Sequence, residues 1–226
     1  MKIIDINSIP RSQGHQEKEI GTTLKKSRSK WYMAGFCLTS LTVVSCFWLF
    51  SLRESKNLKA QDAIFQATYY FEAGDFDKAL KGDANHKGFL DVIQAYPYTT
   101  TANLACFYAG VAYMHQKEYD QALVFLKKFK AKDFILQARA WCVMGDAYSE
   151  QKKHKEAAIY YMKAAHYKAN SVYTPGYLVK AAIAFEADAQ YKNAYRCYQE
   201  IIEQYPTSAH GSSLAIKEAS RLSGHC

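Results

Sequence analysis

Thiols and imidazoles are the side chains best able to act as nucleophiles, proton carriers or metal ligands near neutral pH. Here the cysteines are Cys37, Cys46, Cys106, Cys142, Cys197 and Cys226, and the histidines stand at 15, 86, 115, 154, 166, 210 and 225. A zinc or redox site needs short spacings such as C-x-x-C or H-E-x-x-H, and neither occurs. The G-x-S-x-G elbow and the glycine-rich phosphate loop are also missing. The chain is therefore expected to hold no cofactor and no metal, and not to be an enzyme. His154 reads as a solvated side chain at a turn. His115 is the histidine of most interest, because it is expected to end a helix on a concave face.

The elements that must carry these residues begin with one apolar run. Residues 31–52, WYMAGFCLTSLTVVSCFWLFSL, hold no Asp, Glu, Lys, Arg or His. At about 1.5 Å per residue, a helix of this length crosses a hydrocarbon core of about 30 Å. Trp31 and Tyr32 at one end, and Phe47, Trp48 and Phe50 near the other, suit the headgroup level. Four cations lie between Lys25 and Lys30, whereas Arg53, Lys56 and Lys59 are diluted by Glu54 and Asp62. Positive charge stays on the cytoplasmic side, so residues 1–30 are expected to be a basic cytoplasmic tail and 31–52 a transmembrane helix. The body then lies across the membrane, in the periplasm of a bacterium, beside its inner (plasma) membrane. A cleaved signal peptide has a shorter apolar core of about 7–15 residues. A lipoprotein acylated at Cys46 would be followed at once by more apolar chain, and a buried core helix would need cover on all sides. Residues 53–60 lack Pro and Gly, so the helix is expected to continue out of the membrane.

The formal charge of +8 divides evenly between tail and body: residues 1–30 hold seven Lys/Arg and three Asp/Glu. The body is only mildly basic with mixed signs, so no nucleic-acid footprint is expected. Four prolines and eleven glycines among much Ala, Leu, Lys and Tyr suit packed helices. Free thiols are unusual in an oxidising compartment, and burial as small core hydrophobes reconciles the two.

The body repeats. Trp141, Met144, Gly145 and Tyr148, then Ala157, Tyr161 and Ala164, give W-x2-M-G-x2-Y followed by A-x3-Y-x2-A. Cys106, Ala109, Gly110, Tyr113, Tyr119, Ala122 and Leu126 stand 35 residues or so earlier. Leu178, Ala181, Ala182, Phe185, Tyr191, Ala194 and Tyr198 stand about 37 later, and Pro206 closes that unit. Small residues fall where two helices approach closely, and large ones at i+3 and i+4 spacing make one apolar stripe. A single helix pair cannot cover such a stripe, but stacked neighbours can. This pattern resembles the tetratricopeptide repeat (TPR) proteins. The fold class expected is all-α: a TPR helix-turn-helix solenoid preceded by one transmembrane helix. Residues 102–207 are expected to hold three units. Residues 53–101 are expected to form a degenerate first unit carrying Ala63, Ala67, Tyr70, Phe76 and Ala79, with an inserted loop at 81–88. Residues 208–226 read as a capping helix and C-terminal tail.

TPR arrays bind with the groove made by the first helix of each unit, so the resemblance implies a set of groove positions. They are Ile64, Thr68 and Phe71; Leu104, Phe107, Val111, Met114 and His115; Arg139, Cys142, Asp146 and Glu150; and Val179, Ile183 and Glu186. The N-terminal half of this groove is apolar and the C-terminal half charged, which suits an amphipathic helix or an extended segment. Phe107 and Val111 can equally well pack against the neighbouring unit. A carboxylate clamp would need Lys and Asn where Ile64, Phe107, Cys142, Val179, Thr68, Val111, Asp146 and Ile183 stand, so that type of co-chaperone is rejected. The order of tail, span and solenoid is similar to bacterial single-pass TPR proteins related to the ancillary subunit of the Sec translocon. That resemblance implies protein partners such as the translocon, exported clients or chaperones, and a role in export or envelope quality control. The alternatives are a structural scaffold of an envelope complex without client binding, or a cytoplasm-facing adaptor if the orientation is reversed.

Overall fold

The computed structural model describes residues 13–209 and 213–225, with side chains described from Thr39 onward. Contacts divide the chain into two units, Met1–Arg53 and Glu54–Cys226. Helix α1 (Gln13–Glu72) opens the chain. The basic tail and residues 31–38 of the expected span lie outside the residues whose side chains are described. Among the described residues, no helix is long and apolar enough to cross a membrane. The described part of the run, from Thr39 to Leu52, is helical and exposed, with Phe47 at 73%, Trp48 at 63% and Phe50 at 67%.

The second unit is an all-α, TPR-like solenoid, and no strand occurs among the described residues. After α1 come α2 (Phe76–Lys81) and α3 (Phe89–Ala95), then the pairs α4 (Thr100–His115) and α5 (Tyr119–Lys128), α6 (Phe134–Glu150) and α7 (His154–His166), and α8 (Thr174–Ala187) and α9 (Tyr191–Gln204). Helix α10 (Leu214–Leu222) follows, with a short 3-10 turn at Ser223–His225.

One turn recurs four times. Gly74, Lys117, Lys152 and Ala189 each adopt positive φ (79°, 63°, 60° and 56°) just after the first helix of a pair. In each, the next amide reaches back five residues: Asp75 to the Tyr70 carbonyl (2.9 Å), Glu118 to Tyr113 (2.9 Å), Lys153 to Tyr148 (2.9 Å) and Gln190 to Phe185 (2.8 Å). The left-handed residue donates to the carbonyl three positions back, which completes a Schellman closure and satisfies helix-end carbonyls. The turn reverses the chain within two residues and lays the second helix against the first.

Close approach does the rest. A Cβ on Gly145 would fall 2.5 Å from the Tyr161 ring, and one on Gly110 would fall 2.6 Å from Leu126 Cγ. Ala122, Ala157, Ala182 and Ala194 are fully buried, so the helices of each pair touch nearly backbone to backbone. The core is three clusters in series, from Ala60–Ala112, through Cys106–Ala147, to Ala138–Leu222. Helix α10 adds Ala215, Ala219 and Leu222 to the last cluster, at i, i+4 and i+7.

The segment between α2 and α3 is built around Asp83. Its carboxylate accepts from the Tyr70 hydroxyl (2.5 Å), the Asn85 amide (2.8 Å) and the His86 amide (2.7 Å). A bridge pairs Gly82 with Lys87. Gly82 has φ +78°, and a Cβ there would meet the His86 carbonyl at 2.2 Å, so glycine is required.

Candidate protein-interaction surface

The first helix of each pair carries the groove positions, and the structure treats the two halves differently. In the N-terminal half most are packed. Ile64 is half-buried against the first cluster, and the Phe71 ring meets Phe76 (5.5 Å), Tyr108 (5.3 Å) and Phe89 (6.1 Å). Phe107 is 7% exposed, with its ring 5.2 Å from Phe129 and 5.9 Å from Tyr108. Leu104, Val111 and Met114 pack half-buried against the second cluster, to which Phe107 belongs. His115 is exposed, but its ring stacks on Phe76 at 4.2 Å and 4°, tying α4 to α2. The apolar N-terminal groove of the sequence reading is therefore largely spent on packing between units.

The segment after α5 accounts for this. Asn103 clasps the backbone of Lys130 on both sides, donating to its carbonyl (2.9 Å) and accepting from its amide (3.0 Å). The Ala131 amide donates to Gln137 Oε1 at 2.8 Å. The chain is thereby folded back so that Phe129, itself 3% exposed, covers Phe107.

The C-terminal half is mixed, with Cys142 buried and three positions exposed. Arg139, Glu150 and Ile183 are exposed, Ile183 at 57%, while Asp146, Val179 and Glu186 are half-buried. Asp146 Oδ1 accepts from Lys180 Nζ and from the Tyr161 hydroxyl, both at 2.7 Å. Glu186 is bound by Arg221, whose Nε also donates to Glu218 at 2.6 Å. The Tyr119 hydroxyl reaches Glu150 at 3.2 Å. The Lys180–Asp146, Arg221–Glu186 and Tyr119–Glu150 bonds link successive units, and Ile183 lies three residues from both Lys180 and Glu186, on one helical face.

Burial works against the Lys180 charge, but its bond to Asp146 and the neighbouring Cys142 outweigh this and raise its pKa. Burial, then the Asp146 charge, pushes the Cys142 thiol up to about 11. Burial and Asp146 likewise raise the Tyr161 hydroxyl. At neutral pH Lys180 thus stays an ammonium bonded to Asp146, with neutral thiol and phenol beside it. Such a surface offers ionic and hydrogen-bond recognition around one apolar spot. Among the described residues, no group of three or more His, Cys, Asp or Glu side chains is placed to hold a metal.

Sequence reading did not single out Lys180, Arg221, Tyr161 as an Asp146 ligand, or Asn57. The first two had a usable signal, because an acid and a base separated by one repeat length (146 to 180, 186 to 221) fall on adjacent first-helix positions.

The tetratricopeptide repeat family model matches residues 105–133 and 177–208. In fold the chain is similar to nearly identical TPR-like repeats assigned to a kinesin light chain of Podosopora anserina. A single-substitution variant of those repeats gives TM-score 0.55 at 14% identity, covering 73% of this chain and 84% of that one. The crystal structure of the repeats without that substitution gives TM-score 0.53 at 14% identity, covering 73% and 85%. No curated protein matches the chain.

Proposed function

We propose that this chain is a membrane-held protein-interaction module whose C-terminal first-helix face receives a segment of a partner protein. The coarse part follows from the TPR repeats, whose fold points to protein–protein interaction. The observation that carries the finer part is the open cluster around Ile183, with Asp146, Lys180 and Glu186 on adjoining turns. Interfaces combine a small apolar anchor with satisfied polar groups around it, and this surface has that composition.

Membrane attachment is supported by the run 31–52 and by the exposure of Leu41, Val43, Val44, Phe47, Trp48, Leu49, Phe50 and Leu52. So large a bare apolar surface requires cover, and lipid supplies it on every side of a helix. The charge asymmetry across the run supports a cytoplasmic tail and a body outside, in the periplasm of a bacterial cell. In that setting the module assists protein export or envelope quality control, and tethering raises its effective concentration for partners in the same membrane.

The burial of Phe107 favours a second reading in its specifics. A general binder of unfolded clients needs an open apolar groove, and the described N-terminal half offers little. A scaffold that engages one defined partner needs only the charged half.

A photo-crosslinking residue placed at 139 or 183 in living cells separates the readings. One discrete adduct supports a single partner, a ladder of many adducts supports client binding, and no adduct at either position overturns the surface. If alkaline extraction leaves the full-length chain in the supernatant, the anchor is overturned.

A further inference from the structure

A second binding surface lies away from the groove positions. On α6 the groove residues Arg139, Cys142, Asp146 and Glu150 form one stripe, whereas Trp141, Met144 and Tyr148 form another. At about 100° per residue, an offset of two positions turns a side chain to nearly the opposite side of the helix. Trp141 and Met144 of the second stripe line a cleft of about 460 Å³ between α5 and α7. Its walls are Trp141, Tyr160 and Tyr167, and its rim is Lys127, Lys130 and Lys163. Trp141 and Tyr167 meet edge to face at 4.9 Å, and Lys163 Nζ stands 4.3 Å from the Trp141 ring centre. Within the fold, an aromatic face stands in for a carboxylate beneath this ammonium.

The charge is one-sided. No Asp or Glu lines the cleft. Lys78, Lys81, Lys180 and Arg221 each have a carboxylate within bonding distance, but among the described residues none is paired with Lys127, Lys130 or Lys163. All three are exposed. Three uncompensated cations around an aromatic-walled recess of ligand-pocket size complement an anionic group that carries an apolar side chain.

We infer that this cleft binds an acidic peptide segment of a partner protein, with a large apolar side chain entering the recess and flanking carboxylates meeting the lysines, Lys163 among them, whose ammonium faces both Trp141 and Tyr160. A lipid surface is flat and does not fill a recess between two helices. A nucleic-acid strand needs a longer basic track than three lysines provide. The site is independent of the Ile183 surface, so one module can hold two segments at once.

The test uses the full-length chain and a fluorescein-labelled Glu-Asp-Phe-Glu-Asp peptide, with Gln-Asn-Phe-Gln-Asn as the neutral control, read by fluorescence anisotropy. The acidic peptide binds and the neutral one binds at least about tenfold more weakly, with affinity falling as salt rises. The pair Lys130→Glu and Lys163→Glu loses at least about tenfold in affinity with an unchanged circular dichroism spectrum, while Arg139→Glu on the other stripe keeps it. The assignment is overturned if both peptides bind alike, or if neither binds at concentrations up to about 1 mM. It is also overturned if Arg139→Glu abolishes binding and the lysine pair does not. Displacement of the peptide by oligo-uridylate at equal concentration would replace the protein partner with a nucleic acid.

Discussion

Asn57 Oδ1, on α1, accepts three hydrogen bonds at the start of α4: from the Thr101 amide (3.1 Å), the Thr101 hydroxyl (3.0 Å) and the Thr100 hydroxyl (2.8 Å). Thr99 Oγ1 takes the Ala102 amide at 3.1 Å, so two side chains, one of them 44 residues distant, satisfy the open end of α4. Asn57 is 7% exposed, and water cannot readily replace it. Asn57→Ala is therefore expected to cost about 1–3 kcal/mol, the range for stranding a buried amide together with a cap. Urea denaturation checks this. A change under about 0.5 kcal/mol, the level of an ordinary surface substitution, would refute the cap.

The four Schellman turns make a prediction of opposite sign. Only the first uses glycine, and Lys117, Lys152 and Ala189 hold the left-handed conformation despite their Cβ. That conformation costs an ordinary residue about 1–2 kcal/mol, of which glycine avoids most while losing some unfolded-state entropy. Ala189→Gly is expected to stabilise the body by about 0.5 kcal/mol, and the triple change with Lys117→Gly and Lys152→Gly by about 1–2 kcal/mol. Gly74→Ala should destabilise, and its cause is strain alone, because nothing lies within 4 Å of the added Cβ. Thermal melts of the three variants decide the signs.

The helix pairs were legible because the contact that joins them is local in sequence and repeated. Gly145 and Tyr161 are 16 residues apart, and the same small-against-large opposition recurs at Gly110 and Leu126. What a repeat pattern cannot give is which neighbour covers a stripe. Phe107 and Val111 fit a groove register and a core register equally well, and the outcome turned on Asn103 holding the Lys130 backbone. The Asn57 cap was illegible for a related reason: it pairs one helix with the start of another and has no counterpart elsewhere in the repeat. The lysine cleft was hidden because it belongs to two units at once.

The Asp83 loop responds to acid. The Tyr70 hydroxyl and the Asn85 amide, joined by the His86 amide, hold the Asp83 carboxyl well below the usual carboxylate range. A carboxyl lowered in the folded state adds stability that is fully present above its unfolded value of about 3.9, and that stability is lost as pH falls toward the folded one. Protection of the Asn85 and His86 amides from hydrogen exchange is accordingly expected to stay constant relative to the helices from pH 7 to about 4.5, and to fall only below about 3.5. Tyr70→Phe removes the largest cause and should move that loss to higher pH. An identical pH profile in Tyr70→Phe would show that the hydroxyl does not hold the loop.

At the alkaline end the buried thiols set the behaviour. Burial pushes Cys142 up to about 11 and Cys197 up to about 12, and raises Cys106. The same chain unfolded in urea serves as the reference. The thiolate is the reactive form, so at pH 8 the three buried thiols should be labelled by a maleimide far more slowly than in urea, where all should react at once. Stability follows the same protons. A group raised in the folded state contributes stability that is complete below its unfolded value, about 8.5 for a thiol, and this contribution drains away as pH climbs toward the folded value. Lys180, raised by Asp146 and Cys142, adds to the loss higher in the same direction. The body should therefore weaken steadily from about pH 9 upward, and Cys142→Ala with Cys197→Ala should flatten that decline while lowering stability at pH 7 through lost packing. If native Cys142 and Cys197 react as fast as they do in urea, the thiols do not sit inside the helical stack, and the core cluster that contains both is wrong.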